Sequence, residues 1–142
     1  ANYVAGLMPT QKEVNAIAQA FRELVKKEET DVYHCTQLYG IGGSIRSAAK
    51  LYGDLCNNGN RFNYLLPEHI DAILNRYAED TNAFAHEALR TLPDRIHTLI
   101  PGCIIIREAF KLCDGERLDI CKYGVREGYL AERVLVKPVS FA

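Results

Sequence analysis

The chain has 142 residues, 48% of them hydrophobic, enough for one domain with a core of its own. Its 17 basic and 18 acidic residues leave a formal charge of −1, so the balance gives no reason to expect nucleic acid or an anionic membrane as partner. No apolar run approaches the ~20 residues of a membrane span, and the opening Ala1–Gly6 lacks the basic and apolar regions of a signal peptide.

The first helix is signalled by Thr10 as cap, with Glu13 three residues on completing a capping box. Val14, Ile17, Ala18, Phe21, Leu24 and Val25 then form one apolar stripe, and Lys26 and Lys27 suit the negative end of the helix dipole. Val32–Leu38, rich in β-branched and aromatic residues, reads as a buried strand that includes His34. Three glycines (Gly40, Gly42, Gly43) follow where the strand turns into a helix, which runs from Ser44 to about Leu55. Glycine there lets the backbone take positive φ and approach a ligand, and a helix start offers unpaired N–H groups that suit phosphate. Asn57–Asn60 makes a polar turn.

Pro67 and Glu68 open the next helix, with Ile70, Ile73, Leu74 and Tyr77 at spacings of three and four. Thr81 is the expected cap of a further one carrying Phe84, Ala88 and Leu89, which Pro93 and Asp94 break. A short segment spans Ile96–Ile100. After Pro101, Cys103, Ile104, Ile105, Ile106, Ala109, Phe110 and Leu112 cover nearly a whole helical circumference and predict a central, buried helix. Asp114-Gly115 ends it. Leu118 and Ile120 alternate with Arg117 and Asp119 as a second strand, which leads into a turn at Gly124. A last helix carries Val125, Leu130 and Val134, and the tail Val134–Phe141 reads as an edge strand or a loose end.

The pattern is a helix-rich α/β domain with a small parallel sheet. Strands separated by helical crossovers run parallel, so Gly40–Ser44 and Tyr123–Glu127 are expected at one rim, where open parallel sheets bind ligands. Two strands alone leave both edges open, which predicts missing strands or a homodimer.

Three motifs resemble one family. Gly40-Ile41-Gly42-Gly43-Ser44-Ile45 is similar to the Gly-x-x-Gly-Thr-Ile segment of the exopolyphosphatase and guanosine pentaphosphate phosphohydrolase (Ppx/GppA) family. Leu99-Ile100-Pro101-Gly102 resembles its Pro-Gly segment, and Tyr123-Gly124-Val125-Arg126-Glu127-Gly128 its Tyr-Gly-Leu-Arg-Glu-Gly signature. Order and spacing agree over about residues 8–131. The resemblance implies a ribonuclease-H-like fold of the actin and sugar-kinase superfamily. It implies a two-domain cytoplasmic parent enzyme that uses a divalent cation such as magnesium to release terminal phosphate from polyphosphate or pentaphosphorylated guanosine. Residues 1–142 would form a single domain matching the later part of the second domain. The family's Asp-x-Gly-Ser-Asn-Ser loop, first-domain catalytic Glu and Asp-x-Gly-Gly-Gly-Ser hairpin have no counterpart here. Neither catalytic residues nor metal ligands are therefore expected in this chain, and by itself it should not catalyse. Lys122 departs from an Asp that is common in the family.

On this reading Gly40, Gly42, Gly43 and Ser44 line the phosphate or nucleotide side of a cleft, although serine at a helix start equally reads as a cap. Arg46 reads as solvent-facing. Gly124, Arg126, Glu127 and Gly128 stand at the cleft rim or brace the fold, with both glycines permitting close packing. His69, His86 and His97 read as helix-surface residues, and the histidines show no metal-ligand spacing. The five cysteines (Cys35, Cys56, Cys103, Cys113, Cys121) are odd in number and not closely paired, as in a reducing cytoplasm. The alternative function is a non-catalytic ligand-binding or assembly module that keeps the superfamily's helical lobe.

Overall fold

A computed structural model describes residues 6–28 and 34–135. Val32 and Tyr33 of the expected first strand, Ala1–Ala5 and the tail beyond Leu135 lie outside the described residues. Helix α1, Gln11–Lys27, starts as expected: Thr10 Oγ1 accepts from the Glu13 N–H at 3.3 Å, and the Glu13 carboxylate accepts from the Thr10 N–H at 2.6 Å. Val14, Ile17 and Ala18 are buried, whereas Leu24, at the margin of the stripe, is exposed.

Strand β1, Gln37–Gly40, starts later than the sequence suggests, and His34 precedes it with Nδ1 3.2 Å from Asp114 Oδ2. Helix α2, Gly43–Cys56, ends in the polar turn at Asn57–Asn60. A two-residue strand β2, Tyr64–Leu65, precedes helix α3, Pro67–Glu79, which buries Ile70, Ile73, Leu74 and Tyr77. Helix α4, Thr81–Thr91, is capped by Asp80, not Thr81: Asp80 Oδ1 accepts from the Ala83 N–H at 3.0 Å. A carboxylate outdoes the neighbouring hydroxyl there, and Thr81 Oγ1 instead donates to the Tyr77 carbonyl at 3.0 Å.

A 3₁₀ turn, Pro93–Arg95, leads into helix α5, Ile96–Cys113. The helix does not begin after Pro101 but runs through it. An interior proline costs about 3 kcal/mol. Burial of Ile100 and Ile104, both fully enclosed, returns roughly 1.5–3 kcal/mol each. Its buried face is apolar except at Glu108, whose carboxylate accepts from Arg22 of α1 at 2.8 Å and so ties the two helices. Ile105 and Leu112, expected to be enclosed, are exposed because only one side of α5 is covered.

Strand β3, Arg117–Ile120, pairs parallel with β1 in the register Gln37↔Arg117 to Gly40↔Ile120. On its other side it pairs antiparallel with β2, Leu65 opposite Leu118. The sheet is therefore mixed, in the order β1-β3-β2, where a parallel one was expected. Two residues are too few for an alternating pattern to be seen in the sequence. After β3 come helix α6, Val125–Leu130, and a π-helical turn, Ala131–Leu135. No helix among the described residues is long and apolar enough to cross a membrane.

His69 is buried, not at the surface. Its ring stacks on Tyr52 with centroids 4.1 Å apart, and Nδ1 accepts from the Leu66 N–H at 3.2 Å. Burial lowers its pKa below the usual 6.5 despite Glu68 nearby. A lowered folded-state value means its stabilising contribution is complete above about pH 6.5 and shrinks as pH falls towards the folded value. Urea unfolding at pH 7.5 and 5.0 should therefore show a loss of stability in the wild type that is smaller in His69→Phe, which keeps the stack but cannot be protonated.

Candidate functional site

Parallel pairing of β1 with β3 sends both strand ends the same way, and the Cys121 N–H donates to the Gly40 carbonyl at 2.8 Å. The two following loops therefore meet. Between them lies a cleft of about 660 Å³ whose lining includes Gly42, Gly43, Arg46, Arg95, Arg126 and Glu127.

The four residues of the glycine segment part company. Gly40 is a buried strand residue: a Cβ there would come within 2.6 Å of Ile45 Cδ1 and Leu118 Cδ2, so its bareness serves packing, and it does not line the cleft. Gly42 caps α2 with φ 112°, a conformation that side chains disfavour. Gly43 is the first helical residue and lines the cleft. Ser44 neither caps the helix nor lines the cleft; Gly42 already holds the cap position, and Ser44 Cβ instead faces Gly102 at the α2–α5 crossing, 3.3 Å from where a Cβ on Gly102 would sit. The first amides of α2 have no intrahelical acceptor.

On the opposite wall, Gly124 caps α6 and its N–H donates to Glu127 Oε2 at 2.9 Å. The Glu127 amide itself, that bond from Gly124, and the nearby Arg126 and Arg46 hold the Glu127 carboxyl below the usual carboxylate range. Glu127 is thus ionised and already engaged. Gly128 is exposed, outside the cleft lining and against open space, so the expected close packing at this position is not found. Lys122 Nζ lies over the Tyr123 ring, 5.4 Å from its centroid.

Arg46 is exposed, as expected, and its exposed side chain also lines the cleft. Arg126 meets no carboxylate within 4.0 Å among the described residues, so no ion pair there supports the bracing role. Arg95 was not singled out by sequence reasoning, which treated Pro93-Asp94 only as a helix break. The one signal was a basic residue at the start of a helix, where dipole logic disfavours it. No group of three or more histidine, cysteine, aspartate or glutamate residues able to hold a metal ion occurs among the described residues. Glu127 alone, committed to the Gly124 N–H, is not a divalent-cation site.

A scan against protein-family models finds none that matches, and a search of curated proteins likewise finds no match. Solved structures do match. The crystal structure of an Aquifex aeolicus member of the Ppx/GppA protein family aligns with 94% of this chain at 20% identity and a TM-score of 0.70. The type II variant of the Aquifex aeolicus Ppx/GppA phosphatase covers 94% at 18% identity and a TM-score of 0.72. The fold is that of the Ppx/GppA structures. This chain spans 44–45% of the length of these two, so the Ppx/GppA fold is shared over less than half of each. A third Aquifex aeolicus Ppx/GppA structure agrees, with 92% of this chain covered at a TM-score of 0.71.

Gly40→Ala should cost about 1–3 kcal/mol by overpacking against Ile45 and Leu118, measured by chemical denaturation. Glu127→Ala should release the Gly124 amide, seen as faster hydrogen exchange at that N–H, with exchange elsewhere in the core unchanged.

Proposed function

We propose that this chain supplies the anion-binding wall of a Ppx/GppA-type phosphohydrolase, binding terminal phosphate groups of a polyphosphate or a phosphorylated guanosine nucleotide. The finer fold assignment belongs to the same reading: a helix-rich part of a ribonuclease-H-like domain of the actin and sugar-kinase superfamily. The reaction itself would need the parent protein's other residues.

One observation carries the reading. Five of the ten arginines (Arg22, Arg61, Arg76, Arg107 and Arg117) meet a carboxylate within 4.0 Å. Of the five that meet none among the described residues, three (Arg46, Arg95 and Arg126) line this one cleft. A fourth, Arg133, lies over the Tyr129 ring. Three guanidinium groups facing one engaged carboxylate leave the cleft positive. Arginine's planar donors match phosphate oxygens in pairs, and the first amides of α2 add dipolar attraction.

Phosphoryl transfer depends on charge compensation, a positioned nucleophile and its base. This cleft offers the first. Glu127 is a weak base because its carboxyl is held below the usual carboxylate range and one of its oxygens already accepts from the Gly124 N–H. The motif resemblance implies a divalent cation in the parent protein; no group of three or more histidine, cysteine, aspartate or glutamate residues among the described residues suits one, so no step of the binding account runs through it.

Calorimetric titration of the chain with tripolyphosphate should show binding that weakens steeply with added salt, and no phosphate release. Arg126→Ala should weaken binding about 10-fold, the loss expected for one charge-assisted contact. Binding insensitive to both salt and Arg126 would refute the reading.

A further inference from the structure

The guanidinium of Arg95 lies flat on Gly43. A Cβ built on Gly43 would meet Arg95 Nη2, Cζ and Nη1 at 2.8, 2.9 and 2.9 Å, and three nearly equal distances mean a face-on approach. Guanidinium donors all point outward in the plane of the group, so stacking on one face leaves every N–H free. None of them meets a carboxylate within 4.0 Å among the described residues. The root of the side chain is held as well: the Arg95 N–H donates to the Leu92 carbonyl at 3.1 Å, and the Arg95 carbonyl accepts from Thr98 Oγ1 at 3.2 Å.

An arginine so placed, exposed before α5, has a held backbone, one face of its guanidinium against Gly43 and donors that meet no carboxylate among the described residues, and it shares the cleft with Arg46 and Arg126. We infer that Arg95 is a direct anion contact of this cleft, and that Gly43 lacks a side chain to seat the guanidinium, not to let the anion touch the backbone. The ligand class is a phosphate-bearing anion gripped by in-plane N–H donors. The inference rests on the anion-cleft reading above and adds to it the division of labour between loop and arginine. It also reassigns Gly43, whose bareness the sequence alone attributes to phosphate approach. Any side chain there pushes the guanidinium from its seat, so the effect of a Gly43 substitution must pass through Arg95.

That dependence is measurable as a double-mutant cycle on the 142-residue chain, titrated with tripolyphosphate at low salt. Arg95→Ala should weaken binding about 10-fold, and Gly43→Ala by a similar factor. The double variant should bind no worse than Arg95→Ala alone. Additive losses in the double variant would mean that Gly43 meets the anion by itself and would overturn the inference. Wild-type affinity in Arg95→Ala would overturn it too, reducing the stack to a structural contact. Should Gly43→Ala fail to fold, Arg95→Lys decides: an ammonium keeps the charge but not the planar fork, so affinity should fall at least ~3-fold. An unchanged affinity in Arg95→Lys refutes the in-plane grip. No binding by the wild-type chain defeats the cleft reading itself, whereas normal wild-type binding with any of the contrary variant results defeats only the assignment to Arg95.

Discussion

The parallel pairing of β1 with β3 is the constraint on which the candidate site depends. It is a short ladder, four residues on each side, and its last link is the Cys121 N–H donating to the Gly40 carbonyl. Gly40 makes that link possible because any larger residue would collide with Ile45 of α2 and Leu118 of β3. The ladder fixes where one strand hands over to α2 and where the other hands over to α6. Everything in the cleft inherits its position from those two exits.

A second constraint comes from how charge is distributed. Several acidic side chains are tied up away from the cleft. Asp119 accepts from Gln37 and Arg117, and Glu108 is enclosed by Arg22, Arg107 and Lys111. Asp80 caps α4, and Glu127, the carboxylate that does face the cleft, accepts from the Gly124 amide. A chain with an overall charge near zero thereby keeps a locally positive cleft. Net charge carries no information about this separation, because it is produced by packing and pairing.

Much of the fold was legible because local physics decided it. The Thr10–Glu13 box, the Pro67 start of α3, the apolar stripes of α1 and α3 and the alternation of β3 each lie within a few consecutive residues. The misreadings have physical causes of their own. β2 is too short to leave a pattern. His69 was placed on the helix surface because imidazole is amphipathic, and only the rings of Tyr52, Phe62 and Tyr64 around it show that it is enclosed. Pro101 reads as a helix boundary by backbone rules, yet the burial around it keeps α5 whole.

What the sequence determined by itself was the order and type of the main elements, two strands whose ends share a rim, and a glycine-bearing entry to α2, since each follows from residue periodicity and backbone chemistry close along the chain. Only the tertiary structure decided which glycine does what. Gly40 serves packing, Gly42 serves the turn, and Gly43 meets a guanidinium that arrives from 52 positions further along the chain. Sequence spacing cannot report a contact between Gly43 and Arg95, because it is created by the crossing of α2 and α5. The same is true of the three arginines, which are scattered along the chain and converge only when the sheet and helices are assembled.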